Sequence, residues 1–450
     1  MKKRILSAAI LLSVAPAFAA PTVEVTRVCQ RFPWNNGVDI DYAVSGFEGS
    51  PENCTVEFAI SGATNGVPVA LTAKWFLSHA ACDLPTADGA HRATWDPVKE
   101  GLAGRLDGLA VTAKIVSQPC TEAAAEFMVV DLSAGASGPY PVRFVASDVV
   151  TSEQFANCNR YKETCLVMKR VPAQSRWLGK GGQGLVEKQA LLAWLRSAVD
   201  PNPSVYARIW EYRHYVTLTK SYWMGVFPVT YGQYRQVLGK YPTSTNGATD
   251  GVMRPDVALR PLAGISYNAF MQEGGFVALL NARCAYQGRP VAGFGLPTEA
   301  QWECMARAGT ETKAYWGDGL NLADYDPYEW CSGNSGSGQH PVGLKLPNPW
   351  GFYDTLGNVN EYCCDFYSAT DPVNDLVPTD DDTIPLQDRE PVPIVDPFCE
   401  TGSSRVLKGG SYGSVGNCGN RTYNTNGDNS EWYSGQISYP NGFRLCREAN

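Results

Sequence analysis

Gly295-Leu296-Pro297-Thr298-Glu299-Ala300-Gln301-Trp302-Glu303 is a stretch whose local structure can be read residue by residue. Thr298 with Gln301 three places on forms a capping box, in which hydroxyl and amide side chain each hold a backbone N–H of the other residue. Trp302, Met305 and Ala306 then fall on one face, which predicts a helix buried on that side. Glu299 and Glu303 lie in or near its first turn, where carboxylates favour the helix dipole. Around this helix the chain is loop-rich, so the downstream half reads as α+β with few helices and long connections.

Upstream the texture changes twice. Residues 20–131 carry short alternating runs, such as Val38-Asp39-Ile40-Asp41-Tyr42-Ala43-Val44, between Gly, Pro, Asn and Asp clusters. That period-2 pattern predicts a smaller all-β, Ig-like sandwich. A Gly, Ser and Ala-rich stretch at 133–138, followed by Pro139 and Pro141, predicts a linker over 132–163 and a second domain over 164–450. That domain is expected to open with a strand at 166–171 and a helix at 185–199, stopped by Asp200-Pro201-Asn202-Pro203. Gly179-Lys180-Gly181-Gly182-Gln183-Gly184 fits a dinucleotide-binding pattern, but no repeated βαβ units follow it, so a plain turn is expected.

Residues 1–19 read as a cleavable export signal: Lys2, Lys3 and Arg4, an apolar run over 5–14, then Ala17-Phe18-Ala19. No later stretch reaches the about 18 consecutive apolar residues of a membrane-spanning helix. The expectation is a protein secreted or periplasmic, at the cell exterior, with no transmembrane segment. The fourteen cysteines then sit in a disulfide-permissive place, in groups of even number, with connectivity open. In 450 residues, Lys and Arg number 37 against 45 Asp and Glu, a net charge of -8. Nucleic acid is therefore excluded as a natural partner, for want of a basic field.

Local chemistry is sparse. The four histidines, His79, His91, His214 and His340, lie far apart in sequence, so no helical zinc motif exists. Gly409-Gly410-Ser411-Tyr412-Gly413 matches the nucleophile-elbow pattern, but no helix signal follows, so a glycine-rich turn is expected. Asp380-Asp381-Asp382, inside a Pro- and Asp-rich insertion over 366–405, lacks the spacing of a calcium hand and reads as a solvated loop.

Ten motifs in order carry a resemblance. They are His214-Tyr215-Val216-Thr217-Leu218-Thr219; Gly225-Val226-Phe227-Pro228-Val229-Thr230; Arg260-Pro261-Leu262 to Ser266-Tyr267; residues 295–303; Tyr315-Trp316-Gly317-Asp318; His340-Pro341-Val342-Gly343; Asn348-Pro349-Trp350-Gly351-Phe352-Tyr353-Asp354; Gly357-Asn358-Val359-Asn360-Glu361-Tyr362-Cys363; Lys408-Gly409-Gly410-Ser411-Tyr412; and Asn441-Gly442-Phe443-Arg444. From about 164 to 450 the chain resembles the formylglycine-generating enzyme family, or sulfatase-modifying factors. The resemblance implies a loop-rich α+β fold related to C-type lectins.

The family's namesake enzymes hold copper between two cysteines, three and eight residues after the Gly-Gly-Ser serine, and oxidise a substrate cysteine. In this chain the first place is Ser414, and the candidate for the second is Cys418, seven residues after Ser411. A hydroxyl cannot replace a soft thiolate on Cu(I), so Ser411, Ser414 and Cys418 read as a vestigial catalytic set and copper is not expected. The resemblance also implies structural calcium, with Asn358 and Glu361 offering side-chain oxygens and Gly357 and Val359 carbonyls.

From 412 to 441, Asn, Gly, Ser, Tyr, Thr and Asp make up 22 of 30 residues. Tyr412, Tyr423, Trp432, Tyr433, Tyr439 and Asn441 give this stretch the makeup of a binding surface, with rigid aromatics among adaptable polar groups. It resembles the hypervariable C-terminal segment of diversity-generating-retroelement proteins. The leading expectation is an exported module that binds a protein, peptide or glycan ligand. The alternative is an active oxidase converting a sulfatase cysteine to formylglycine.

Overall fold

The structure, a computed structural model, describes residues 20–47, 54–118, 120–179, 214–242, 256–319, 321–367, 393–423 and 440–449. The export signal, the helix expected at 185–199, residues 180–184 of the glycine-rich turn, the Asp380 run, and Trp432, Tyr433 and Tyr439 lie outside these residues. Two compact units are present: residues 1–74 with 83–117, and 75–82 with 118–450.

The first unit is all strands: β1 (Thr22–Gln30), β2 (Val38–Ser45), β3 (Cys54–Thr64), β4 (Val67–Thr72), β5 (Gly89–Trp95) and β6 (Leu106–Ser117). They form two antiparallel three-stranded sheets, β1-β2-β5 and β4-β3-β6. The alternation is what fills the core. Val38, Ile40, Tyr42 and Val44 point inward from β2, Val56, Phe58 and Ile60 from β3, and the Tyr42 and Phe58 rings meet edge-on at 5.2 Å. His91 bonds the Ala87 carbonyl at 2.6 Å. Among the described residues no group of three His, Cys, Asp or Glu could hold a metal ion.

The second unit begins earlier than the sequence suggests. The sequence pattern assigns residues up to 131, which include β7 (Phe127–Asp131), to the sandwich and 132–163 to a linker. Instead β7 lies between β8 (Tyr140–Val145) and β9 (Cys165–Val171). Phe127, Met128, Val129 and Val130 are all buried. A continuous apolar run of this kind marks a strand covered on both faces. The Gly- and Pro-rich stretch is the turn from β7 to β8, and 151–163 hold α1 (Ser152–Ala156), capped by Thr151 and Gln154, and α2 (Arg160–Glu163).

The remaining elements, in chain order, are β10 (Gln174–Leu178), β11 (His214–Leu218), β12 (Tyr222–Gly225), α3 (Tyr231–Leu238), α4 (Tyr267–Met271), α5 (Phe276–Arg283), β13 (Cys284–Tyr286), β14 (Arg289–Pro290), β15 (Phe294–Gly295), α6 (Glu299–Arg307), α7 (Leu322–Tyr325), β16 (Asn360–Phe366), β17 (Ile394–Val395), β18 (Arg405–Lys408), β19 (Thr422–Tyr423), β20 (Asn441–Gly442) and β21 (Cys446–Glu448). The main sheet runs β14-β13-β8-β7-β9-β12-β21-β15. Two smaller sheets, β10-β11-β17 and β19-β18-β16-β20, frame the region described next. The result is a mixed α+β unit, mostly strands, few helices and many loops.

The capping box is present as read: Thr298 Oγ1 accepts from Gln301 N at 3.1 Å and Gln301 Oε1 from Thr298 N at 2.9 Å. Among the described residues no helix is long and apolar enough to cross a membrane.

Candidate functional site

β18 ends in Lys408 and turns through Gly409 and Gly410, both at positive φ (91° and 74°). A Cβ at Gly409 would stand 2.9 Å from the Thr355 carbonyl, so the close approach and the backbone both require glycine. Ser411 and Ser414 then close the turn on each other. Ser411 N donates to Ser414 Oγ at 3.1 Å, Ser414 N to Ser411 O at 2.9 Å, and Gly413 N to Ser411 Oγ at 3.3 Å. No helix follows within the described residues up to Tyr423, so this is a turn and not a nucleophile elbow. Beneath it, Gly416 N donates to Glu329 Oε2 at 2.9 Å.

Cys418 is wholly buried in an apolar cluster with Trp302, Tyr315 and Phe352, and its amide donates to the Lys313 carbonyl at 2.9 Å. Burial pushes its thiol up to about 11, against the opposing pull of Arg307. A cavity of about 460 Å³ opens on the turn, lined in part by Asn360, Lys408, Ser411, Ser414, Asn417 and Arg421; no cysteine is among the described residues lining it. Cys363 is also buried and its thiol is raised by burial. Cu(I) takes soft thiolate ligands, and among the described residues the cavity at this turn offers hydroxyls and amides and no sulfur.

The residues expected to hold calcium are engaged by other groups of the chain. Both Glu361 oxygens face inward: Oε1 accepts from Arg444 Nη2 at 2.8 Å, and Oε2 from Arg444 Nε at 3.0 Å and Trp302 Nε1 at 2.6 Å. Asn358 Oδ1 accepts from His340 N at 3.1 Å, while its Nδ2 donates to the His340 carbonyl and to Asp354. Both side chains thus have partners within the protein. Gly357 has its own structural reason: its φ is 75°, and a Cβ would meet the Trp330 carbonyl at 2.5 Å.

Of the residues expected to bind ligand, Tyr412 is half-buried, its N donating to Asn358 O and its O accepting from Ser335 Oγ. Asn441 is only 4% exposed. It sits in β20, parallel to β16, and its Oδ1 accepts from Asn360 at 3.0 Å, so it shapes the sheet rather than the surface. Tyr423 falls in β19, paired with Val406 of β18.

A charged network went unread in the sequence. Glu303, 2% exposed, accepts from Lys408 Nζ at 2.9 Å, Arg307 Nε at 2.7 Å and Gly179 N at 2.6 Å. Burial would raise its carboxyl, but Lys408 and Arg307 outweigh that and hold it below the usual range. Glu299 pairs with Arg421 at 2.8 Å and Lys408 at 3.5 Å. Asp365 accepts from Glu299 N at 2.7 Å and Cys399 N at 3.0 Å. A second cavity, about 320 Å³, is lined by Glu299, Glu303, Asp365, Arg421 and His214 together with apolar residues. Glu303 and Arg307, four apart on a helix, were the one local signal of this network.

Residues 180–449 match the family model described as "Sulfatase-modifying factor enzyme 1-like domain". The chain is 36% identical over 131 residues to a formylglycine-generating enzyme of Thermomonospora curvata, covering 27% of this chain and 39% of that protein. It is 36% identical over 132 residues to one of Streptomyces coelicolor, covering 27% and 37%. A chaperone protein LppX of Paenibacillus barcinonensis matches at 30% over 91 residues, 17% of this chain and 32% of that one. The chain thus spans under two fifths of the length of these curated relatives. Among solved structures, Treponema denticola variable protein 1 is similar at a TM-score of 0.41 and 23% identity, over 63% of this chain and 95% of that one. PvdO from Pseudomonas aeruginosa is similar at 0.39 and 20%, over 63% and 95%. With a family model matched over more than half of its length, this chain belongs to the sulfatase-modifying factor family.

Proposed function

We propose that this protein is an exported ligand-binding member of its family, which takes a protein, peptide or glycan in the cavity beside residues 409–416. One observation carries this reading: the Gly-Gly-Ser turn faces its cavity with hydroxyls and amides, while Cys418 lies sealed in the core. Serine, asparagine and glycine at such a surface supply adaptable hydrogen bonds. The stretch from 412 to 441 continues the same chemistry in sequence. A formylglycine-generating activity is the competing reading, on the strength of the relatives' names; it would require sulfur where Ser414 stands.

The test is a glycan and peptide array probed with the purified full-length chain and with Ser414→Trp. Ser414 is exposed at the turn, so the indole blocks the cavity without entering the core. Binding by the native chain that drops at least about tenfold in the variant supports the reading. Equal binding by both, or conversion of a cysteine in a sulfatase-type peptide to the aldehyde, contradicts it.

A further inference from the structure

The 320 Å³ cavity lies between α6 and the chain around β17, and the proposal above makes no use of it. Its volume is within the range of small-molecule sites. One wall is apolar, built by Leu178, Ala300, Ile394, Val395 and Phe398. The opposite wall is charged, and its charges are unequally matched. Glu303 has Lys408 and Arg307, and Glu299 has Arg421. Asp396 is held by Thr219, whose amide donates to it at 2.8 Å.

Asp365 differs. It is 5% exposed, and among the described residues its oxygens accept only the amides of Glu299 and Cys399, with the Cys364 thiol 3.9 Å away. Among the described residues no cation stands within ion-pair distance of it. A buried carboxylate without a counter-ion is strongly disfavoured, and this one lines an open volume.

We propose that this cavity is a second binding site, which takes an organic cation: an ammonium or guanidinium group carried on a short apolar body. The cationic head supplies the charge that Asp365 lacks, with Glu299 beside it, and the body lies along Ile394, Val395 and Phe398. A bare divalent ion fits poorly, because it would need six or more oxygens and the other carboxylates here already hold cations or amides. An anion would meet Asp365 and Glu299 directly.

The groups facing Asp365 set its titration. Burial, followed by the neighbouring Glu299 charge, pushes its carboxyl up to about 7, and Arg421 and the two amides oppose the rise. Cation binding then requires proton release. Taking the ionised fraction as the competent one, affinity for a cation falls roughly 30-fold between pH 8.0 and 5.5.

The experiment is calorimetric titration of the full-length chain with benzylammonium, with benzyl alcohol and benzoate as neutral and anionic counterparts. Saturable binding of benzylammonium at pH 8.0, at least about tenfold tighter than benzyl alcohol and weakened as stated at pH 5.5, supports the site. Asp365→Asn should abolish both the preference and the pH dependence. Because Asn loses one acceptor and could loosen the loop at Cys399, Val395→Lys is the second variant. Val395 is 57% exposed at the rim, and a lysine there places a tethered competitor with the fold intact. No binding, equal binding of the neutral alcohol, or full binding by Val395→Lys overturns the proposal. So does a pH dependence that survives in Asp365→Asn.

Discussion

Glu361 and Arg444, 83 residues apart in sequence, form a bidentate pair at 2.8 and 3.0 Å with side chains 1% and 0% exposed. Arg444 also donates to the carbonyls of Gly225, Val226, Tyr353 and Asp354. One guanidinium therefore ties β16, β12 and the 353–354 loop together, with all its N–H groups used. Breaking a buried pair leaves an uncompensated charge, so Arg444→Met or Glu361→Gln should each cost about 3–5 kcal/mol. Denaturant titration of the two single variants and the double variant checks this. The double variant should lose clearly less than the sum.

Glu329 lies under the Gly-Gly-Ser turn, 1% exposed, with Oε2 on Gly416 N. Burial raises its carboxyl from 4.5 to about 7, against the Gly416 amide, the Cys331 thiol and Lys345. The sign follows from a folded value above the unfolded one. The stabilisation is complete below pH 4.5 and is lost as pH rises to about 7, for a change of about 3 kcal/mol. Asp365 acts in the same direction over a similar window. Glu329→Gln keeps an acceptor for Gly416 and should flatten its share of the slope, as read by unfolding at pH 4.5, 6 and 7.5.

Gly416→Ala tests how tightly the turn is seated. A Cβ there would stand 2.7 Å from Glu329 Oε2 and 2.8 Å from both Gly409 O and Leu356 Cβ. Backbone and core atoms cannot swing away, so the variant should lose about 1–3 kcal/mol. Calorimetric unfolding measures it.

How much of this was legible follows from where each signal lies. The α6 capping box, the inward alternation of β2 and the β9 strand were written in neighbouring residues, and local hydrogen bonds or packing enforce them. The unit boundary was not. Residues 127–130 form a uniformly apolar run, and only pairing with β8 and β9 says which sheet owns it. The Glu361–Arg444 pair was illegible for a comparable reason: Glu361 has the chemistry of a cation ligand, but its partner Arg444 comes from a segment no local pattern connects to it. Asp365 gave no signal at all, because its burial and its missing counter-ion are properties of the assembled walls.

Cys418 should behave as a core thiol. With its value near 11, thiolate at pH 8 is scarcer than for a free cysteine by a factor of roughly 100 or more. Iodoacetamide should therefore leave Cys418 unmodified in the native chain and label it in denaturant, as peptide mass mapping would record. Fast native labelling would mean the thiol is open to the cavity.

The central claim is that the Gly-Gly-Ser turn presents hydroxyls where an oxidase needs a sulfur pair. Titration of the reduced, full-length chain with Cu(I) under a competing chelator tests it most directly. The account predicts no tight stoichiometric uptake, and identical curves for the native chain and Cys418→Ala. One-to-one uptake that Cys418→Ala abolishes would contradict it.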